Sequence, residues 1–181
     1  MNSGKITLIC GPMYSGKTTE MLRLFLRADL ANKKTILLRP YSDTRQYISH
    51  SKTDVSWLKY EFVKNLNDFD AIKYDVIGVD EGQFQLGLKD FCKEYAKYRK
   101  QIIISALHAT SECEMFDSVI EIIPHCDEII KLNAVCSYCG SDYGSFTFYK
   151  GGNKIGKVEV GGQEKYIALC RECYEKEQRS L

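Results

Sequence analysis

Short apolar runs alternate with longer amphipathic segments over the first 131 residues of the chain. Runs of this length and composition predict buried strands, and five occur, at Ile6–Cys10, Thr35–Leu38, Val76–Asp80, Ile102–Ser105 and Glu128–Lys131. The intervening segments predict three helices, at Thr18–Asn32, around Leu66–Lys73 and at Leu88–Lys100. Because strands that alternate with helices form mainly parallel sheets covered on both faces, the pattern predicts an α/β fold.

Beyond Leu132 the pattern changes, and glycines punctuate short β-like runs such as Lys157–Val160. This part of the chain also contains two Cys-x-x-Cys pairs, Cys136 with Cys139 and Cys170 with Cys173. Two such turns can complete a tetrahedral sulfur site for zinc, and a site with four cysteines is structural rather than catalytic. Four reduced thiols or a redox pair are the alternative. We therefore predict an α/β nucleotide-binding domain over residues 1–131 and a zinc-binding lobe over residues 132–181.

Charge and composition narrow the class of protein. Lysine and arginine together number 25 and aspartate and glutamate 24, so no net field favours nucleic acid or an anionic membrane. The N-terminus lacks an apolar signal segment, and no window approaches the ~20 apolar residues of a membrane span. These features predict a cytoplasmic enzyme.

The segment between the first predicted strand and the first predicted helix reads Gly11-Pro12-Met13-Tyr14-Ser15-Gly16-Lys17-Thr18. Two glycines allow the backbone to curl so that successive N–H groups point at phosphate oxygens, and the helix N-terminus adds partial positive charge. Lys17 would reach the β- and γ-phosphates, and the Thr18 hydroxyl would bind Mg²⁺. A glycine-rich turn that arose by chance is the alternative. The strand, loop and helix order favours a nucleotide-binding loop.

A second candidate site follows the strand at Val76–Asp80. An apolar strand of a parallel sheet would deliver Asp80 to the edge where such sheets bind ligands, and this carboxylate could hold Mg²⁺. Glu81 would then lie beside the γ-phosphate. It could take a proton from water, giving hydrolysis, or from a substrate hydroxyl, giving phosphoryl transfer. The residue types alone do not choose between these reactions.

Several motifs, in order, resemble the type II thymidine kinases of animals, bacteria and large DNA viruses. They are Gly11–Glu20, Asp80-Glu81-Gly82-Gln83-Phe84, Lys131–Cys136 and the second cysteine pair, and the resemblance extends from Gly4 to about Tyr174. It implies transfer of the γ-phosphate of ATP to the 5′-hydroxyl of thymidine or deoxyuridine. It also implies a homotetramer and feedback inhibition by thymidine triphosphate. The near-neutral charge, in turn, predicts no nucleic-acid or membrane partner.

The resemblance assigns roles to individual residues, with Glu81 as the catalytic base. The ATP and Mg²⁺ site would comprise residues 11 to 18 together with Asp43, Arg45, Asp80 and Gln83. The segment between the cysteine pairs resembles a lasso that closes over the base through main-chain groups. The nucleoside would contact Met13, Phe84, Leu107, Ser111, Phe116, Thr147, Val158, Glu159, Val160, Gly161, Gly162 and Tyr166.

One loop departs from the family pattern. Where the family has a sequence close to Leu-Asp-Gly-Thr-Phe, this chain reads Leu107-His108-Ala109-Thr110-Ser111. His108 replaces an acidic residue, and Ser111 replaces an aromatic residue that packs against the base. His108 would contact the nucleoside or be a loop residue without a role. Two further functions stay open: an ATPase whose zinc lobe docks protein or nucleic acid, and a non-catalytic nucleotide-binding relative.

Overall fold

The computed structural model of the chain describes residues 3–43, 57–151 and 164–179. The strands found there are β1 (Lys5–Gly11), β2 (Thr35–Pro40), β3 (Tyr60–Val63), β4 (Val76–Val79), β5 (Gln101–Leu107), β6 (Glu128–Lys131), β7 (Phe146–Tyr149) and β8 (Tyr166–Leu169). The α-helices are α1 (Lys17–Leu30), α2 (Leu88–Lys97), α3 (Asp117–Ile122) and α4 (Arg171–Gln178). In this part of the chain no helix is both long and apolar enough to cross a membrane.

The first six strands form one sheet in the order β3-β2-β4-β5-β1-β6. Every neighbouring pair in it is parallel. The central strands are apolar almost throughout, as strands buried on both faces must be. The predicted α/β fold with a mainly parallel sheet is therefore confirmed.

Alternate side chains of the strands face opposite layers of helix. Leu8 of β1 packs with the side chains of α2 and α3. Its neighbour Ile9 packs with Met21, Leu22 and Phe25 of α1 on the other face. Because side chains alternate along a strand, one apolar run supplies both cores. The two layers fix where the carboxyl ends of the strands emerge, which is where the candidate site lies.

One expectation about local structure was wrong, and one strand was missed. The segment Leu66–Lys73 is not an α-helix; it contains a short 3₁₀ turn at Leu66–Asp68. The Asn65 side chain accepts a hydrogen bond from Asn67 N at 3.0 Å, and the Asp70 side chain accepts one from Ile72 N at 2.9 Å. Such side chains compete with the helix for backbone donors. Strand β3 was not predicted, because it is an exposed strand at the sheet edge without a continuous apolar run.

The cysteine-rich part of the chain forms a small lobe beside the parallel sheet. Strands β7 and β8 pair antiparallel, and α4 follows β8 directly. Cys136, Phe148, Leu169 and Tyr174 are buried together there as a separate apolar cluster. The predicted run Lys157–Val160 lies outside the described residues, and the boundary at residue 131 stays a prediction.

Candidate active site

The glycine-rich loop connects the end of β1 to the start of α1. A Cβ atom on Gly11 would lie 2.5 Å from the Leu132 carbonyl oxygen and 2.7 Å from Ser15 Oγ, so only glycine fits there. Gly16 has a φ of 80°, in the left-handed region that favours glycine. Glu20 N donates to the Gly16 carbonyl at 2.9 Å, which begins the hydrogen bonding of α1. Both glycines are therefore required by the backbone path of the loop.

Polar side chains of this loop turn inward onto its own backbone. Ser15 Oγ donates to the Pro12 carbonyl at 2.9 Å, and Lys17 Nζ donates to the same oxygen at 2.6 Å. Thr18, the second residue of α1, is half-buried. Burial chiefly, with the negative charge of Glu164, raises the pKa of the Tyr14 hydroxyl to about 12. The loop thus places a cation and a helix N-terminus together, an arrangement suited to phosphate.

Asp80 and Glu81 lie at the same edge of the sheet as this loop. Asp80 directly follows β4 and is fully buried, and its N–H donates to the Leu38 carbonyl at 2.9 Å. Since β5 alone separates β4 from β1, two strand spacings of about 4.8 Å put the loop about 10 Å away across the sheet. Glu81 has left-handed backbone angles, φ 49° and ψ 46°. This conformation turns the chain sharply at the strand end.

Gln83 links the Glu81 carboxylate to the end of β5. Its Nε2 donates to Glu81 Oε2, and its Oε1 accepts from Leu107 N at 2.9 Å. Ser118 Oγ of α3 donates to the Gln83 carbonyl at 3.2 Å. Both ends of the amide are thereby used to orient other groups. A direct contact between Gln83 and ATP or Mg²⁺ stays a prediction.

Several of the predicted nucleoside residues lie close together in pairs. The rings of Phe84 and Phe116 meet edge to face, with centroids 5.9 Å apart. Met13 N donates to Thr147 Oγ1 of β7 at 3.0 Å. The second contact joins the glycine-rich loop to the cysteine-rich lobe, so the candidate pocket lies where the two parts of the chain meet.

Ser111 and Tyr166 lie in different surroundings from these pairs. Ser111 is buried, and its carbonyl accepts a hydrogen bond from the Tyr174 hydroxyl at 2.9 Å. Tyr166 is buried against Tyr149, with ring centroids 5.2 Å apart. Their assignment to the nucleoside pocket stays a prediction.

The four paired cysteines converge on one point. The sulfur atoms of Cys136, Cys139, Cys170 and Cys173 all lie within 4.8 Å of one another, and those of Cys139 and Cys170 are 3.7 Å apart. Tetrahedral zinc binds each thiolate at about 2.3 Å, which places the sulfurs about 3.8 Å apart. The donor set and spacing therefore fit a structural zinc ion.

Comparison with known proteins identifies the family. A family model for thymidine kinase matches residues 4–174. Thymidine kinase 1 of Dictyostelium discoideum is 37% identical over 185 residues, which cover 97% of this chain and 80% of that protein. Thymidine kinase of Myxoma virus (strain Lausanne) is 37% identical over 179 residues, which cover 96% of this chain and 98% of that protein. The chain belongs to the thymidine kinase family.

This member of the thymidine kinase family has a buried ion pair that the sequence analysis missed. Arg39 is 1% exposed, and its Nη2 and Nε atoms donate to Asp43 Oδ2 at 2.8 and 3.1 Å. The Arg39 guanidinium also lies 4.9 Å from the centroid of the Phe62 ring. An arginine within the apolar run of β2 was the available signal, because a buried charge requires a partner. Asp43 is therefore oriented by Arg39, and its role at the phosphates stays a prediction.

His108, which departs from the thymidine kinase family pattern, lies beside the glycine-rich loop. Burial chiefly, with the positive charges of Lys131 and Lys17, lowers the pKa of its imidazole, and a backbone hydrogen bond at Gly11 acts in the opposite direction. Both alternatives considered from the sequence, a nucleoside contact and a loop residue without a role, stay predictions. The remaining predicted site residues, Arg45, Val158, Glu159, Val160, Gly161 and Gly162, lie outside the described residues.

Proposed function

We propose that the protein transfers the γ-phosphate of ATP to the 5′-hydroxyl of thymidine, and of deoxyuridine, to give the monophosphate. The single observation that carries this proposal is the link from Glu81 through Gln83 to Leu107. It connects a carboxylate at the phosphate edge of the sheet to the loop that carries predicted nucleoside residues. The relatives that match most of the chain are named thymidine kinases, which supports the same reaction.

In this proposal the glycine-rich loop and Lys17 bind and orient the phosphates. The Thr18 hydroxyl and the Asp80 carboxylate would hold Mg²⁺, which supplies positive charge to the γ-phosphoryl group when bound. Lys17 Nζ donates to the Pro12 carbonyl at 2.6 Å, so its positive charge lies on the loop that would bind the phosphates. Preorganised cations of this kind lower the barrier because they stabilise charge on the transferred group.

Glu81 accepts the proton of the 5′-hydroxyl as that oxygen forms a bond to the γ-phosphorus. The bond from the γ-phosphorus to the β–γ bridging oxygen breaks, and ADP leaves. Gln83 Nε2 donates to Glu81 Oε2, and this hydrogen bond orients the carboxylate that would accept the proton. The segment between the cysteine pairs closes over the base, and its main-chain groups select thymine. Exclusion of water by this segment favours transfer to the sugar over hydrolysis.

Further proposals concern the bound ions and the assembly. The four cysteines hold one structural zinc ion per chain, and Mg²⁺ accompanies ATP. By resemblance, the chain forms a homotetramer in the cytoplasm and is inhibited by thymidine triphosphate. Light scattering on a size-exclusion column tests the tetramer directly.

A transfer assay with radiolabelled ATP, run with and without thymidine, tests the reaction. A kinase gives labelled thymidine monophosphate only when thymidine is present. Equal release of labelled phosphate in both reactions would instead identify a hydrolase, and no release in either would identify a non-catalytic relative.

A further inference from the structure

We propose that Tyr174 is a positioning residue that fastens the loop between β5 and α3 to the zinc-binding lobe, and that this contact sets the affinity for the nucleoside. The loop, residues 108–116, is called the β5–α3 loop below. The first half of the proposal is structural. The second half, the effect on nucleoside affinity, rests on the proposed function, which assigns Leu107, Ser111 and Phe116 to the nucleoside pocket.

The β5–α3 loop is folded back on itself as a compact turn. Ala109 and Met115 form an antiparallel bridge, and Thr110 N donates to the Glu114 carbonyl at 2.8 Å. Thr110 Oγ1 accepts from Glu114 N at 3.3 Å, and Cys113 has a left-handed φ of 61°. The loop therefore has a defined shape that a contact at its tip can hold in one orientation.

The Tyr174 hydroxyl holds this tip through two hydrogen bonds of opposite sense. It donates to the Ser111 carbonyl at 2.9 Å and accepts from the Cys113 thiol at 3.4 Å. A hydroxyl has one donor and two acceptor positions, so the single donor is used on Ser111. Both contacts cross 61 to 63 positions of the chain, from the loop to α4.

The position of the Tyr174 ring is set by the zinc-binding lobe. The residue is 9% exposed, and its ring stacks on Phe146 at 4.9 Å and meets Phe148 edge to face at 6.0 Å. It directly follows Cys173, and its N–H donates to the Cys170 carbonyl at 2.9 Å. Two of the four sulfur ligands are thus adjacent to Tyr174 in the sequence or hydrogen-bonded to it through the backbone. A metal ion that fixes the cysteines would therefore also fix the position of the Tyr174 hydroxyl.

The two ends of the β5–α3 loop lead into the candidate pocket. At one end Leu107 N is hydrogen-bonded to Gln83, and at the other Phe116 packs on Phe84. Lys17 and the phosphate-binding backbone belong to a different segment of the chain, between β1 and α1. Loss of the Tyr174 contact should therefore weaken thymidine binding and leave ATP binding unchanged.

The decisive variant is Tyr174→Phe, which keeps the stacked ring and removes only the hydroxyl. Tyr143→Phe, at a tyrosine of the same lobe that is 73% exposed, is the matched control. Hydrogen exchange of the amides of residues 110–115 should become about three- to ten-fold faster in Tyr174→Phe, as expected for a lost hydrogen bond. The thymidine KM should rise by a similar factor, while the ATP KM and the zinc content match those of the control.

The two readouts separate this proposal from the proposed function. Exchange is measured without substrate, so faster exchange in Tyr174→Phe supports the fastening role even if the wild-type protein does not phosphorylate thymidine. Exchange equal to that of Tyr143→Phe overturns the fastening role. Faster exchange with an unchanged thymidine KM, or an equal rise in both KM values, overturns the link to nucleoside affinity.

If Tyr174→Phe folds poorly, as shown by a low zinc content, the wild-type protein gives a second test. Removal of zinc by a chelator should accelerate exchange at residues 110–115 more than at Glu20, whose N–H bonds within α1. Uniform acceleration, or none at the loop, overturns the proposal.

Discussion

Replacement of Glu81 by glutamine isolates the proton-accepting step of the proposed reaction. A positioned general base contributes about 10²–10⁴-fold to the rate, equivalent to about 2.7–5.4 kcal/mol of barrier. Glutamine has the shape of glutamate but does not accept the proton of the 5′-hydroxyl. We therefore expect kcat to fall by about 10²–10⁴-fold in Glu81→Gln.

The structure explains why this change should not disturb the rest of the site. A glutamine at position 81 can present its carbonyl oxygen to Gln83 Nε2, so the hydrogen bond that orients the side chain is kept. The left-handed backbone at position 81 imposes a strain of about 1–2 kcal/mol on either residue equally. The ATP KM and the unfolding temperature should therefore equal those of the wild type.

Gln83→Leu provides the contrast, because it removes the orienting residue and leaves the base. Gln83 is 7% exposed, and its loss leaves Leu107 N without its acceptor at a cost of about 1–3 kcal/mol. This variant should lose both rate and stability. Initial rates with radiolabelled ATP at saturating thymidine, together with thermal unfolding, measure both variants. A Glu81→Gln protein that keeps more than half of the wild-type kcat would exclude Glu81 as the base.

Three further predictions concern the metal, pH and the phosphate-binding loop. The wild-type protein should contain one zinc per chain by elemental analysis. The Cys139→Ser variant should lose this zinc and should raise the thymidine KM before the ATP KM. A full zinc content in that variant would contradict the four-cysteine site. Because the pKa of His108 is lowered in the folded state, its contribution to stability is present above the ordinary histidine pKa and is lost as pH falls. His108→Asn should therefore lose less unfolding free energy than the wild type between about pH 7.5 and 5.5. An equal loss in the two proteins would contradict this account. A Cβ on Gly16 meets no atom within 4 Å, so Gly16→Ala should cost only the left-handed strain of about 1–2 kcal/mol in chemical unfolding. Gly11→Ala should cost more, because its Cβ would lie 2.5 Å from the Leu132 carbonyl oxygen, a backbone atom that cannot easily move. An equal loss in the two variants would contradict this account.

Local sequence patterns predicted the central part of the fold because each buried strand can be recognised from its own run of apolar residues. Each of the five apolar runs became a strand of the parallel sheet, and the glycine-rich loop lies between β1 and α1 as expected. The convergence of the four cysteines was predictable because the Cys-x-x-Cys spacing is typical of the ligands of a structural zinc ion. In these cases the information lies within short motifs, although the two Cys-x-x-Cys motifs are themselves far apart, with Cys139 and Cys170 separated by 31 positions.

Contacts between distant segments could not be predicted in the same way. The pairing of Tyr174 with Ser111 joins residues 63 positions apart, and Met13 with Thr147 joins residues 134 positions apart. No residue type or spacing signals either contact. Position 111 shows the consequence, because the sequence suggested only a lost aromatic contact with the base. The structure adds a contact that the sequence did not suggest, a hydrogen bond from the Tyr174 hydroxyl to the Ser111 carbonyl.

These long-range contacts bear on why a zinc-binding lobe accompanies a phosphate-binding sheet. Thr147 is 6% exposed and accepts from Met13 N, while Tyr174 donates to Ser111, so the lobe contacts both the glycine-rich loop and the β5–α3 loop. Buried polar groups are retained at low energetic cost only when their partners are correctly placed. Within the described residues, strands β7 and β8 form a two-stranded sheet, which is marginal by itself, and a zinc ion held by the four cysteines would supply much of the order of the lobe. Loss of zinc should consequently affect nucleoside binding more than the proton transfer that Glu81 performs.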